Sequence, residues 1–542
     1  MRNLLFPGRH HLLTNFQLEY LTRVTSGDRA LLRDTRGNHV ELNEPIQTLL
    51  WAVTSANHSN TRRNPLPAHR REVAIEEFAT QLDVDSYVFL IDDLGFTERF
   101  AEYLLKKIDV DSLGRFSLTP ENTLVASSTP EVIAQYERLG YRVLPVELLD
   151  REKVSFVADP PWEVMNKIIA DGLRGEDWKT NSYFIGKVAR ATRRLYLKYA
   201  YGDQIIALHR SPLLTEDGDL TATRDYNTYV RSFDSGASRK LSLVREFIQP
   251  GRIVDIGCCT GALLRELTFE PKLRESDFYG IEVARPLYAE CLHRKEQGLF
   301  GAENVFFYQK DFAAGQLFAS NSINTFTTFA LTHEIESYSG RDALESFIRS
   351  LYAQLAIGGC WINVDVVGPR DKTKRVLLKL RNDDGTKENQ GKDPDIDRRF
   401  DPDDRQGLKS FLDGLSTFDR FLRFARDFRR DEGFQLPYEI VQRGEERYVA
   451  LTLQNACEFL SKKDYTDNWS SEMHETFCFW DFPEWLSAVQ NAGFRVVEGS
   501  NDYANPWIIE NRYRNKVELY DEAMQPLEYP ATNMILVAIK AQ

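Results

Sequence analysis

The chain of 542 residues is 42% hydrophobic and 12% aromatic, a globular composition whose length calls for roughly two to four domains rather than a single core. Its formal net charge of −13 argues against a surface that holds duplex nucleic acid along its length, because such binding rests on neutralising phosphates. Six cysteines without regular spacing exclude a disulfide framework and a zinc ribbon and point to a reducing, cytoplasmic compartment. The opening MRNLLFPGRHHLLTNF lacks the apolar stretch of a signal peptide, and no run approaches the roughly 20 apolar residues of a membrane span. A soluble protein without a membrane partner is expected.

In chain order, a short apolar opening leads into Gly8-Arg9 and the pair His10-His11, and an amphipathic helix begins near Phe16. PIQTLLWAVTSAN reads as a buried strand running into a polar loop, and PAHRREVAIEEFATQL as a helix. VDSYVFLIDD, NTLVASS and YRVLPVEL read as strands alternating with the helices FTERFAEYLLKKI and PEVIAQYERLG. Such alternation predicts a parallel sheet with covering helices, assigned to residues 1–205.

The loop SANHSNTRRNPLPAHRREVAI, with Ser55, Ala56, Thr61, Asn64, Pro65 and Arg70 or Arg71, resembles the nucleotidyltransferases of the nicotinamide-mononucleotide adenylyltransferase type, and TPENTLVASSTPEVIAQYERLGYRVLPVE extends the match. That family places a His-x-Gly-His motif after the first strand, where its histidines stabilise the transferring phosphate. The matching positions here are Thr14, Asn15, Phe16 and Gln17, and His10 and His11 lie a few residues early. The family's second phosphate signature, a Ser/Thr-rich loop with an Arg at a helix start, finds only ADPPWEVMNKIIADG. The resemblance therefore implies a domain that kept the fold and lost nucleotidyl transfer, serving to bind a nucleotide-like ligand or to assemble a homo-oligomer.

Residues 206–240 read as a connector, and a second α/β series starts near Leu241. SLVREFI, GALLRELTF, PLYAECLHRKEQ and DALESFIRSLYAQLA are predicted helices, and RIVDIGCC, DFYGIEV, NVFFYQKDF, INTFTTFAL and GCWINVDVVG strands. After the core segment 241–369, residues 370–480 read as an insertion of charged loop plus helices, a candidate substrate cap, and 481–542 as the rest of the core, ending in the strand NMILVAIK.

VDIGCCTGALL places Asp255 at a strand end and Gly257 and Gly261 in the following turn, where backbone must approach a ligand closely. Glu282 ends the next strand, about 20 residues on, where an acid takes ribose hydroxyls, and Asp311 ends a third. These features resemble class I S-adenosylmethionine (SAM) dependent methyltransferases. The overall expectation is thus an α/β protein of two doubly wound domains, the first nucleotidyltransferase-like and the second methyltransferase-like with an insertion. The resemblance implies SAM as cofactor, with Asp255, Gly257, Cys258 and Gly261 shaping the methionine pocket, Glu282 on the ribose, and Asp311 with Phe312 beside the adenine. Cys259 stands where the family has its middle glycine. A dinucleotide-binding dehydrogenase fits less well, since GCCTGA lacks the G-x-G-x-x-G frame.

THEIESY follows the fourth strand, and His333 or Glu334 is the expected general base, the alternative being a plain helix start with Thr332 as cap. Without the second histidine of a zinc helix, no metal is expected. In FLSKKDYTDNWSSEMHETFCFWDFPEW, the residues Tyr465, Trp469, Glu472 and His474 are candidates for a substrate pocket or for packing of the insertion, and ANPWIIENRYR poses the same choice. A small-molecule acceptor is expected, with RNA as the alternative through KTKRVLLKLR and RFLRFARDFRR, and a non-catalytic sensor or scaffold as a third reading.

Overall fold

A computed structural model describes residues 2–541 except 43, 95–96, 211–225, 313–314, 387–393 and 402–403. The chain divides into two compact units, Met1–Gly218 and Asp219–Gln542.

The first unit is built on strands β1 (Asn3–Gly8), β2 (Thr48–Val53), β3 (Asp85–Leu90), β4 (Thr123–Ala126) and β5 (Arg142–Leu144), all parallel in the order β3-β2-β1-β4-β5. A small antiparallel pair, β6 (Leu148–Asp150) and β7 (Ser155–Phe156), follows. Leu4, Leu5, Leu49, Leu50, Trp51 and Val125 are all buried, because helices cover both faces of the sheet and the central strands must be apolar on both sides. The helix Asn15–Thr25 starts at Thr14, whose hydroxyl accepts from Gln17 N while the Gln17 side chain accepts from Thr14 N.

The second unit carries β8 (Arg252–Ile256), β9 (Asp277–Glu282), β10 (Val305–Gln309), β11 (Ile323–Phe329), β12 (Leu355–Val366), β13 (Arg375–Leu380), β14 (Glu439–Arg443), β15 (Glu446–Thr452), β16 (Phe494–Val496), β17 (Asn501–Tyr503), β18 (Val517–Tyr520) and β19 (Asn533–Lys540). Its main sheet runs β10-β9-β8-β11-β12-β19-β16, parallel from β10 to β12, with β19 antiparallel between β12 and β16 and also paired to β17. The strand order reverses at β8 and β11, so the loops after these strands diverge and open a crevice at their C-terminal ends.

Three expectations change. The insertion is a folded layer with its own antiparallel sheet, β14-β15-β13-β18, and its own core including Val376, Leu378, Phe421, Phe424, Val449 and Phe459. The run KTKRVLLKLR is a strand: Val376 and Leu378 face this core while Leu377 faces a smaller cluster with Tyr448, a two-sided burial masked in the sequence by flanking charge. Within the last segment, β18 belongs to that sheet. Part of the expected connector is the helix Tyr226–Val244, which lies in the second unit, whereas 211–225 fall outside the described residues. Part of the charged loop, 387–393 and 402–403, does so too.

Most basic side chains of both candidate RNA-contacting runs are paired with acids, among them Arg375 with Glu439, Lys379 with Glu446, Arg420 with Asp464, Arg423 with Asp427 and Arg426 with Asp397. These pairs spend the positive charge that phosphates would need. No described helix is long and apolar enough to cross a membrane.

Candidate functional site

The turn after β8 reverses the chain through three left-handed residues, Gly257 (φ 69°), Cys259 (φ 54°) and Gly261 (φ 72°). A Cβ on Gly257 would stand 3.2 Å from Leu331, and one on Gly261 3.0 Å from the Phe307 ring, so conformation and space both call for glycine. Cys259 accepts the left-handed conformation at a cost of roughly 1–2 kcal/mol. Its side chain and that of Cys258 are buried, and Cys258 Sγ lies 4.0 Å from Cys291 Sγ.

Glu282, at the end of β9, folds under this turn. Its carboxylate accepts from Cys259 N (2.8 Å), Val283 N and Ala284 N (both 2.9 Å), which orients the group and leaves about one of its four acceptor positions for a ligand hydroxyl. Burial pushes Glu282 up to about 7, against these hydrogen bonds and helped by the nearby Glu334. Asp255 accepts from Thr327 Oγ1 (2.7 Å) and is raised by burial to about 6, with Lys240 opposing. Lys240 is itself lowered by burial to about 8.

Asp255 carries a stability consequence. A carboxyl whose folded pKa is raised from 3.8 to about 6 contributes stability that is present below pH 3.8 and lost as pH rises through 6. Asp255→Asn cannot ionise, so it should be more stable than the parent at pH 8, by about 3 kcal/mol, and level with it near pH 4. Urea titrations at both pH values check this; a gap that does not change with pH would refute it.

Two residues of this site escaped the sequence reading because they lie in the segment taken as a connector. Asp234, on the helix Tyr226–Val244, accepts from Thr260 Oγ1 (2.9 Å) and holds Arg294 through two hydrogen bonds (2.8 and 2.7 Å), which ties that helix to the glycine turn. Lys240, six residues further along that helix, is close enough to Asp255 to oppose the rise in its pKa. No spacing rule links either residue to the turn.

Asp311 sits half-buried beyond β10, and Phe312 turns into the core, edge-on to Phe326 and Phe347 at 5.5 and 5.6 Å.

The helix Thr332–Ser339 follows β11. The expected capping by the Thr332 side chain is absent; Thr332 is instead bound by Asp365 of β12, which accepts from Thr332 N (2.7 Å), Thr332 Oγ1 (2.6 Å), His333 N (3.2 Å) and His333 Nδ1 (2.6 Å). His333 Nε2 stands 3.4 Å from a Glu475 carboxylate oxygen, and Tyr338 donates to the other oxygen at 3.1 Å. Burial acts to lower the His333 pKa, but the two carboxylates outweigh it and hold the imidazole well above its ordinary range. A carboxylate at each ring nitrogen favours the protonated imidazole, a state that disfavours the expected general-base role of His333. Glu334 is half-buried and close enough to Glu282 to raise its pKa.

The four pocket candidates separate. Trp469 is buried in the insertion core and donates to Asp427 (2.9 Å), a packing role. Tyr465 packs against that core under Arg512, whose guanidinium lies 4.6 Å from the ring. Glu472 is buried, and His474 lines a cavity of about 390 Å³ beside the helix Thr332–Ser339, with Glu336, Arg341 and Arg429. In ANPWIIENRYR, Tyr513 is buried in the insertion core and Trp507 is exposed.

In the first unit a cavity of about 730 Å³ opens at the C-terminal ends of the strands. His10, in a left-handed conformation, turns its ring onto Gly8 and Trp51 and bonds Phe6 O (3.0 Å); burial lowers it to about 4, and His11 falls well below its ordinary value for the same reason. Both are neutral at pH 7. Arg71 is buried and donates to the carbonyls of Arg9, Thr54 and Ser55, so its charge braces the loop, while Arg70 lies over Tyr199. Ser55 bonds Asp93, and Thr61 and Asn64 bond one another. The cavity wall includes Gln17 and the buried Glu147, pushed up to about 7 by burial and bonded by Ser128.

No protein-family model matches the chain. The nicotinamide-nucleotide adenylyltransferase of Halorubrum lacusprofundi is 24% identical over 139 residues, which span 26% of this chain and 68% of that protein. Among solved structures, the chain is similar to a SAM-dependent methyltransferase from Clostridium acetobutylicum (11% identity, 58% of this chain and 99% of that one, TM-score 0.28) and to one from Mesorhizobium loti (12% identity, 56% and 99%, TM-score 0.29).

Proposed function

We propose that this chain is a SAM-dependent methyltransferase acting on a small-molecule acceptor, and that its first unit is a nucleotidyltransferase-like domain that binds a ligand without transferring nucleotides. The observation that carries the reading is Glu282 beneath a turn of three left-handed residues, oriented by three backbone N–H groups and with acceptor capacity left over. The donor set fits the cofactor. Glycines 257 and 261 supply the close backbone approach, Glu282 receives a ribose hydroxyl, and Asp311 meets the adenine edge.

When bound, SAM supplies an electrophilic methyl group. The chain's own residues would hold the acceptor in line with it and receive the acceptor proton. Glu334 is the carboxylate we assign to that proton, since the two carboxylates around His333 favour its protonated form. The His333–Asp365 pair positions the start of the helix that carries Glu334. In the first unit Arg9, Arg62 and Arg63 line the cavity and could meet an anionic ligand, while its two histidines are neutral, Arg71 is turned inward and Thr14 and Gln17 stand where the signature histidines would be, which favours binding over chemistry there.

Native mass spectrometry and calorimetric titration of the full chain with SAM test the reading, together with an assay of adenylyl transfer from ATP to nicotinamide mononucleotide. One SAM per chain and no adenylyl transfer are expected. A chain that takes up no SAM would refute the cofactor, and turnover in the second assay would refute the binding-only role of the first unit.

A further inference from the structure

The surroundings of His333 suggest more than an ion pair. His333, Glu334 and Glu475 each offer a ligand atom, and these atoms lie within 4.8 Å of one another. His333 and Glu475 are buried and Glu334 is half-buried. Two ligands each about 2.1 Å from a tetrahedral ion stand about 3.4 Å apart, which is the separation of His333 Nε2 from the Glu475 oxygen.

The supporting groups are of the kind a metal site requires. A metal-bound histidine usually donates its second ring nitrogen to a carboxylate, and His333 Nδ1 faces Asp365 Oδ1 at 2.6 Å. The Glu475 carboxylate is oriented by Tyr338 OH (3.1 Å). Its backbone is held twice: the buried Lys462 donates to the Glu475 carbonyl, and Thr476 N donates to Ser337 Oγ (2.8 Å). Both carboxylate-bearing segments are thus fixed to the same helix before any ion arrives.

We infer that His333, Glu334 and Glu475 form a binding site for one divalent first-row transition-metal ion, with Asp365 and Tyr338 as its outer supports. One imidazole and two carboxylates make a donor set suited to zinc, manganese, iron or cobalt, and less to the all-oxygen preference of calcium. With the ion in place, Glu334 becomes a ligand rather than a proton acceptor. Binding of the ion does not depend on the cofactor, so this inference stands or falls apart from the methyltransferase reading.

The test is calorimetric titration of the chelator-stripped full chain with Zn²⁺, without SAM, followed by elemental analysis after dialysis. The expected result is one ion per chain, with affinity at least about tenfold weaker in both Glu475→Gln and Glu334→Gln. If Glu475→Gln does not fold by circular dichroism, the half-buried Glu334→Gln decides. No uptake by the parent chain, or equal uptake by parent and variants, would overturn the site.

Discussion

Glu282→Gln should weaken SAM binding by roughly 100-fold while leaving the chain folded. The carboxylate is held by Cys259 N, Val283 N and Ala284 N, so in the proposed reading it is fixed before the cofactor arrives and a ribose hydroxyl would meet it without reorganisation. A charge-assisted hydrogen bond contributes about 1.5–3 kcal/mol, and glutamine also turns an N–H₂ group toward backbone donors that then lose their acceptor. A loss near 3 kcal/mol corresponds to about two decades in Kd. The same change removes a carboxyl pushed up to about 7 by burial, which limits the damage to folding. Calorimetric titration with SAM measures the effect, and parent-like affinity in a folded variant would remove Glu282 from the cofactor site.

The second large effect is on stability. Asp365→Ala should destabilise the protein by about 3–5 kcal/mol, the range for removing one partner of a buried ion pair. Asp365 is almost fully buried and accepts from Thr332, from both nitrogens that His333 presents to it, and from Val366 N (2.7 Å). Without it, the His333 imidazolium keeps only Glu475, and the first backbone donors of the helix Thr332–Ser339 lose their acceptor. Asp365→Asn retains one acceptor oxygen and should fall between the parent and the alanine variant. Urea unfolding of the three proteins checks the order, and an alanine variant within 1 kcal/mol of the parent would show that the cluster is not tightly coupled.

A basis for reading the fold lay in local pattern. Alternating apolar runs and helical stripes marked nearly every strand of the two main sheets, because a doubly covered parallel strand must be apolar on both faces. Asp255, Gly257, Gly261 and Glu282 were visible for a related reason: each sits at a strand end or in the turn that follows, and the crevice at those ends is set by local chain geometry. The degeneracy at Thr14 and Gln17 was visible too, and the structure supplies its physical content, since the two side chains cap a helix.

What sequence patterns did not convey depends on contacts between distant segments. Glu475 reaches His333 only because the insertion folds back onto the helix after β11, and Asp365 meets His333 only because β12 lies beside β11. The one trace in the sequence is a second His-Glu pair, His474-Glu475, echoing His333-Glu334. Likewise, β13 was hidden because charge dominates the composition around it, and its apolar faces gain meaning only from the strands beside it. Residue type and periodicity report how a segment meets water and its own backbone. Which buried charge meets which, and hence whether His333 holds or gives up a proton, follows from chain packing across more than a hundred residues.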